Sequence, residues 1–132
     1  MEYKWFKRFY REKPNKVWSG YSDSWITNFT CKLGKIGKSD FGLLDHDYLG
    51  LMIGFEHNSG SVATDYTHNM YKGCNYESII ERNAMGQELL QVIHDMLKDA
   101  KVDTIAELKN IPVELYYLNR TLIAFRILTE VL

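Results

Sequence analysis

Ionisable side chains are densest at Asp45, His46 and Asp47. A carboxylate beside an imidazole raises the pKa of the imidazole and holds one tautomer, as a general base requires. Neighbouring residues of a strand point to opposite faces, so only Asp45 and Asp47 would share a side. Two carboxylates on one side suit acid–base catalysis or a divalent cation. The alternative, which we favour, is a solvated turn or the beginning of a strand.

Three histidines, His46, His57 and His68, follow one another at intervals of eleven residues. In an antiparallel meander they could converge, with Asp65 as a further ligand, and zinc needs three or four such groups. The spacing matches none of the compact motifs HxxxH, HxH or CxxC. We therefore expect histidines near strand ends rather than a metal site, and we predict no cofactor.

The two cysteines, Cys31 and Cys74, are expected to be reduced thiols. Cys74 could pair with His57 or His68 as nucleophile and base, but no third group is evident to orient the base. The motifs GxxxxGK[ST], GxGxxG and GxSxG do not occur in the chain. The sequence therefore gives no positive support for an enzyme, and we predict a protein without catalytic residues.

Extended segments come first in the predicted order of elements. Residues 25–36 alternate in polarity, which predicts a half-buried strand with its apolar face on the odd positions. Those positions are Trp25, Thr27, Phe29, Cys31 and Leu33. Gly34 and Gly37 indicate a bend or a bulge in this strand. Residues 39–42, Ser-Asp-Phe-Gly, are typical of a turn.

A second strand is predicted over residues 43–57, and residues 58–61 form a good hairpin turn before a return strand at 61–67. One face of the second strand is apolar and carries Leu49, Leu51, Ile53 and Phe55. Three neighbouring strands joined by turns indicate an antiparallel meander.

The period becomes helical from Ala84 onward, with Asn83 as the expected N-cap. The buried stripe is formed by Met85, Leu89, Val92, Ile93, Met96 and Ala100. A capping box at residues 104–107 predicts a second short helix over 103–109. Pro112 then bars further helix, and residues 113–118 and 121–128 are expected to close the fold as a hairpin around Asn119 and Arg120.

The predicted fold is a single α+β domain over residues 1–132. About five strands form an antiparallel sheet that packs on one main amphipathic helix. The order is β-β-β-α-α-β-β, preceded by an aromatic N-terminal arm that either adds an edge strand or covers the sheet. No apolar run is long enough to span a bilayer and no signal-peptide pattern is present, so we expect no membrane contact and a cytoplasmic location.

Charge is distributed unevenly along the 132 residues. Residues 1–38 hold nine Lys and Arg against three acids, a net +6, whereas the remaining 94 hold seven against fourteen, a net −7. Nine of the 18 aromatic residues also fall in the first 38. The basic segment either folds against the acidic body and neutralises it, which we favour, or forms a surface for an acidic partner.

Aromatic and basic residues together are also typical of nucleic-acid binding, where cations neutralise phosphates and rings stack on bases. The charge of −7 on the remainder and the low pI argue against that interpretation. Asp95, Asp99 and Asp103 form an acidic stripe at helical spacing that would resemble a nucleic acid to a basic partner. The simpler expectation for this stripe is an ordinary solvated helix face.

The run at residues 41–53, Phe-Gly-Leu-Leu-Asp-His-Asp-Tyr-Leu-Gly-Leu-Met-Ile, resembles small phage and prophage proteins of unknown function. The helix ending at residues 102–108 resembles them too, and the similarity covers about residues 41–110. Those proteins carry a Gly-Gly-Tyr signature after the turn, where this chain has Thr64, Asp65 and Tyr66. The resemblance implies a phage-linked accessory protein. Some small phage proteins of this size inhibit host defence nucleases by stoichiometric binding.

The leading functional hypothesis is therefore a non-enzymatic protein that binds another protein or a nucleoprotein complex, as an anti-CRISPR-like inhibitor of a bacterial defence nuclease would. Trp, Tyr and Arg are the residues that most often anchor interfaces. The predicted binding residues are Trp5, Phe6, Arg8, Tyr10 and Trp18. One alternative is a self-associating structural or accessory protein that pairs a sheet edge or the arm across a two-fold axis. A second is a metal-dependent hydrolase using Asp45, Asp47 and the histidines.

Overall fold

The computed structural model describes residues 8–19, 22–45, 48–57, 60–71 and 79–132. Its strands are β1 Arg8–Tyr10, β2 Val17–Ser19, β3 Ser24–Ile26, β4 Thr30–Asp45, β5 Tyr48–His57, β6 Gly60–Tyr71, β7 Pro112–Leu118 and β8 Thr121–Ile127. The helix α1 spans Ile79–Ala100, and short 3-10 helices span Ile105–Leu108 and Thr129–Val131. No helix in these ranges is long and apolar enough to cross a bilayer.

Six strands form the main sheet, in the order β1-β8-β7-β4-β5-β6. Strand β1 runs parallel to β8, and the other neighbouring pairs are antiparallel. Strands β2 and β3 form a separate two-stranded hairpin. The protein is α+β, and its N-terminal arm adds an edge strand through β1, so the sheet has six strands where about five were predicted.

The meander β4-β5-β6 is present, but its first turn lies elsewhere than predicted. Residues 39–42 belong to the uninterrupted strand β4, where Ser39 pairs with Ile53 and Phe41 with Leu51. The turn predicted at 39–42 is therefore wrong, because pairing along the ladder outweighs the local preference of these residue types. The chain reverses between Asp45 and Tyr48, which pair with each other.

The predicted inner face of residues 25–36 is also wrong. Trp25 is 44% exposed and Leu33 62% exposed. The segment is not one strand, because β3 ends at Ile26 and β4 begins at Thr30. In β4 the core side is occupied by Ile36, which pairs with Phe55. The bulge predicted near Gly37 is confirmed, since the register with β5 shifts between Ile36 and Lys38.

The main core lies between one face of the sheet and the helix. From the helix, Leu89, Met96 and Ala100 are buried, which confirms the predicted stripe at the positions whose side chains the structure describes. From β5, the predicted inward residues Leu51, Ile53 and Phe55 are buried as well. Further buried members of this core are Leu108, Val113, Leu115, Tyr117, Leu122, Phe125 and Ile127.

The boundaries around the helix differ from the predicted ones. The helix begins at Ile79, so Asn83 lies inside it and is not its N-cap. The second short helix is a 3-10 helix, Ile105–Leu108. Thr104 is its N-cap, but the predicted capping box is not formed: Thr104 makes no side-chain hydrogen bond to the helix backbone, and its Oγ1 donates to Glu107 Oε1 at 2.8 Å. The closing hairpin is confirmed, with Asn119 at a φ of 58° in its turn.

The second face of β7 and β8 is covered by the N-terminal segment. Val17 of β2 packs there with Tyr116, Ile123 and Ala124, all of them buried. Phe29 contributes an edge-on ring contact with Tyr116, at 5.4 Å between centroids. Both faces of this hairpin are therefore inside the protein, which explains its nearly continuous runs of buried residues.

Replacement of Leu89 by alanine should lower the free energy of unfolding by about 2–5 kcal/mol, because the side chain is fully buried and its loss leaves a cavity. Leu90→Ala is the matched control, since the neighbouring side chain is 62% exposed and should change stability by less than about 0.5 kcal/mol. Urea denaturation of both variants measures the difference. Equal losses would contradict the assigned helix face.

Candidate functional site

The predicted binding residues that the structure describes serve largely to attach the N-terminal segment to the sheet. The Tyr10 hydroxyl accepts a hydrogen bond from the Trp18 backbone N–H at 2.7 Å. Its ring meets Tyr116 edge-on, with centroids 6.1 Å apart. Both Tyr10 and Trp18 are partly buried. These contacts position β2 over the sheet and leave only part of each ring for a partner.

Of the other three predicted binding residues, the structure describes only the backbone of one, Arg8. Arg8 begins β1, where its backbone pairs with Ala124, and its side chain is outside the described atoms. Trp5 and Phe6 lie outside the described residues. Their role in binding stays a prediction.

A buried network of charged and hydroxyl groups lies beneath the N-terminal segment. The Tyr116 hydroxyl donates to Glu114 Oε1 at 2.8 Å and receives the Arg126 Nε–H at 3.3 Å. Arg126 Nη1 donates to Glu130 Oε1 at 3.0 Å. Lys13 Nζ approaches the other Glu114 oxygen at 4.0 Å. Glu114 and Arg126 are only 8% and 6% exposed, so each depends on the other partners for compensation of its charge.

This environment changes the ionisation of the network. Burial, together with the hydrogen bond to Glu114, raises the pKa of Tyr116 far above its usual range. Burial opposes the charge on Arg126, but its hydrogen bonds with Glu130 and Tyr116 outweigh that effect and raise its pKa. The Arg126 hydrogen bond lowers the pKa of Glu130. A neutral tyrosine and a permanently charged arginine are suited to holding structure rather than to transferring protons.

A second ion pair joins the basic segment to the acidic body. Arg11 Nε lies 3.4 Å from Asp99 Oδ2, and the Asp99 side chain is 10% exposed. The Lys13–Glu114 contact acts in the same sense. The stripe of Asp95, Asp99 and Asp103 is therefore not the solvated helix face that was expected. Asp99 points inward, and Asp103 lies beyond the end of the helix.

Trp25 is an exposed aromatic residue among the described residues of the N-terminal segment, although its position in the sequence pattern predicts a core residue. Trp18 and Trp25 are direct cross-strand partners in the β2-β3 hairpin, with ring centroids 5.3 Å apart at 72°. Lys16 Nζ lies 4.6 Å from the Trp25 ring centroid, within cation–π range. Two tryptophans seven residues apart, with a Ser-Gly-Tyr-Ser-Asp-Ser turn between them, are the signal that could have revealed this hairpin.

The side chains considered for catalysis or metal binding are not brought together where the structure describes them. His68 pairs with Leu51 on β5, and His57 lies six residues further along that strand, which corresponds to roughly 20 Å. Asp45 closes β4, while His46, Asp47 and Cys74 lie outside the described residues. Cys31 is exposed. No group of three metal-ligating side chains occurs in the described part of the chain.

Comparisons with protein families, with curated proteins and with solved structures found no match to this chain. The arrangement of residues in the fold is therefore the basis for a functional proposal. The resemblance of residues 41–110 to phage accessory proteins stays a prediction from the sequence.

Replacement of Arg126 by methionine should lower the free energy of unfolding by about 3–5 kcal/mol, because it removes the buried cation beside Glu114 and leaves only the exposed Lys13, at 4.0 Å, among the described cations. Glu130→Gln is the control, since Glu130 is the exposed partner and its loss should have a much smaller effect on stability. Chemical denaturation at pH 7 compares the two variants. Similar losses in the free energy of unfolding for the two variants would show that the contribution of Arg126 to stability does not come from the buried charge.

Alkaline conditions should destabilise the protein through Tyr116. Its pKa is raised in the folded state, so its contribution is complete below the unfolded pKa of about 10 and is lost as pH rises above that value. The free energy of unfolding, measured from pH 8 to 11.5, should therefore fall less steeply for Tyr116→Phe than for the wild type, by up to about 1.4 kcal/mol per pH unit. Identical slopes would overturn this assignment.

Proposed function

We propose that the protein acts by stoichiometric binding to another protein or to a nucleoprotein complex, through the outer face of the β2-β3 hairpin. The observation that carries this proposal is Trp25, a large aromatic side chain that is 44% exposed on a hairpin attached to the sheet. Tryptophan is among the residues most enriched at the energetic centres of interfaces.

The hairpin presents this ring in a defined orientation. Trp18 supports one side of Trp25 through an edge-on contact, and Lys16 lies over the ring. Val17, on the opposite face of β2, is fully buried against the sheet and holds the hairpin in place. A ring that is already ordered loses little conformational entropy when a partner covers it, so more of the contact energy appears as affinity.

The charges in the described part of the basic segment, residues 1–38, favour a protein partner over naked nucleic acid. Four described cations lie within 4.0 Å of carboxylates of this chain, in the pairs Arg11–Asp99, Lys13–Glu114, Lys35–Glu56 and Lys38–Asp40. A cation that already has a carboxylate partner releases fewer counterions when it meets a phosphate, so its contribution to nucleic-acid affinity is smaller.

The class of partner rests on the sequence resemblance. Some small phage proteins of this size inhibit host defence nucleases by stoichiometric binding, and we propose a CRISPR effector or a similar defence nuclease as the target. Neighbouring phage genes are the genomic context that this proposal expects. Occupation of a surface requires no catalytic group, in keeping with the structural role of the buried network around Arg126.

Size-exclusion chromatography with a panel of purified defence nucleases tests the proposal. The wild type should co-elute with at least one of them and inhibit it at a one-to-one ratio. Trp25→Ala should weaken that complex by at least about 30-fold, the loss expected for a central aromatic anchor, without a change in melting temperature of the free protein. Leu90→Ala, at another exposed apolar position, should bind like the wild type.

Two results would contradict the proposal. Failure of every nuclease in the panel to co-elute would remove the proposed class of partner. Equal affinity of the Trp25→Ala variant and the wild type would show that binding uses another surface.

A further inference from the structure

Strand β4 is longer than its neighbour β7, and its second half has an open edge. Strand β7 pairs only with residues 30–35 of β4. Ile36 then exchanges backbone hydrogen bonds with the next segment, donating to Ile111 O at 2.9 Å and accepting from Asn110 N at 2.7 Å. Residues 38–45 pair with β5 on one side, and no described strand pairs with them on the other.

The open edge carries two exposed apolar side chains on one face. Phe41 and Leu43 are cross-strand partners of Leu51 and Leu49, so both lie on the side of the sheet that faces the helix. Leu51 is fully buried, whereas Phe41 is 45% exposed and Leu43 71% exposed. Free backbone groups beside exposed apolar side chains form a template for another strand.

We propose that this edge pairs with the same edge of a second copy of the chain, antiparallel across a two-fold axis at Gly42. In that register, Phe41 of each copy lies directly opposite Leu43 of the other, giving two aromatic–aliphatic cross-strand pairs. An axis at Phe41 would place Leu43 opposite Ser39, and an axis at Leu43 would place Phe41 opposite Asp45. The edge is therefore most complementary to itself about Gly42, which is the argument for a second copy as its occupant.

The surroundings of the edge allow this approach. A Cβ atom built on Gly42 would meet no other described atom within 4 Å, so the face of the sheet opposite to Phe41 is open at the axis. Of the three charged residues of the segment, Lys38 and Asp40 contact each other at 3.8 Å and lie on the face opposite to Phe41, and Asp45 is at the end of the strand. The chain's own segment contacts this strand as far as Ser39, whose Oγ donates to Ile105 O at 2.7 Å, so the proposed pairing is confined to residues 40–44, beyond that contact.

The expected interface is small. Two large apolar side chains per copy and about five residues of ladder correspond to the low end of specific interfaces. We therefore expect a reversible dimer whose formation depends on concentration in the micromolar range or above. The inference is independent of the proposed binding function, because it uses β4 and not the tryptophan hairpin.

Sedimentation velocity over a concentration series tests self-association. The wild type should change from monomer to dimer as concentration rises. The double variant Phe41→Lys with Leu43→Lys should weaken the dimer by at least about tenfold, since lysines at an edge oppose pairing. Leu33→Lys is the matched control, an equally exposed leucine of the same strand on the other face, and should dimerise like the wild type.

Disulfide trapping tests the register. In a background with Cys31→Ser and Cys74→Ser, a mixture of the Phe41→Cys and Leu43→Cys variants should form a cross-linked heterodimer in oxidising buffer. Each variant alone should cross-link at least about tenfold more slowly, because like positions are offset by two residues, roughly 7 Å. Melting temperatures of all variants establish that they are folded, as expected for exposed positions.

Three results would overturn the inference. One is a monomer at every concentration up to about 1 mM, which would leave the edge for a different occupant. Another is a dimer that the lysine variant does not weaken. The third is cross-linking that is as fast for either single variant as for the mixture.

Discussion

Burial of both faces of the β7-β8 hairpin is the constraint on which the rest of the structure depends. One face packs under the helix, and the other is covered by Tyr10, Val17, Ile26 and Phe29. Polar groups on that second face have no access to water and must be compensated inside the protein. The network of Glu114, Tyr116 and Arg126 satisfies this requirement, and it also determines where the N-terminal segment can lie.

The uneven distribution of charge along the chain follows from the same arrangement. Arg11 and Lys13 reach Asp99 and Glu114, two carboxylates from the acidic body that are largely buried. Two cations of the N-terminal segment, Arg11 and Lys13, are therefore paired within the molecule. Among the described residues of this segment the exposed side chains are mostly polar, and Trp25 is an exposed large apolar one.

The two halves of the sheet are not covered to the same extent. The half that contains β7 and β8 is covered on both faces. In the other half, β4 extends past the end of its pairing with β7, for eight residues beyond Gly37. Two apolar residues of that extension, Phe41 and Leu43, lie on the face of the sheet that forms the core elsewhere, but their side chains are exposed. Among the described residues, the exposed large apolar side chains include Trp25 on the tryptophan hairpin and, at a separate place, Phe41 and Leu43 on the extension of β4.

Periodicity in the sequence was sufficient to predict those elements of the fold that bury only one face. The helical stripe around Leu89 and the inward face of β5 were predicted correctly, because a single buried face leaves a periodic signal in the sequence. The closing hairpin was recognised from its length and turn position. The α+β class follows from these elements, and the sequence by itself determined that much.

Tertiary structure alone decided the path of the N-terminal half and the nature of the candidate site. Residues 39–42 have the composition of a turn, yet pairing with β5 keeps them extended. Trp25 alternates like a core residue, yet its partner Trp18 lies on the outer face of a hairpin that local periodicity does not reveal. Tyr10, Arg11 and Lys13 contact residues roughly 90–110 positions further along the chain. Local pattern cannot predict such contacts, because their energy depends on partners that are distant in sequence.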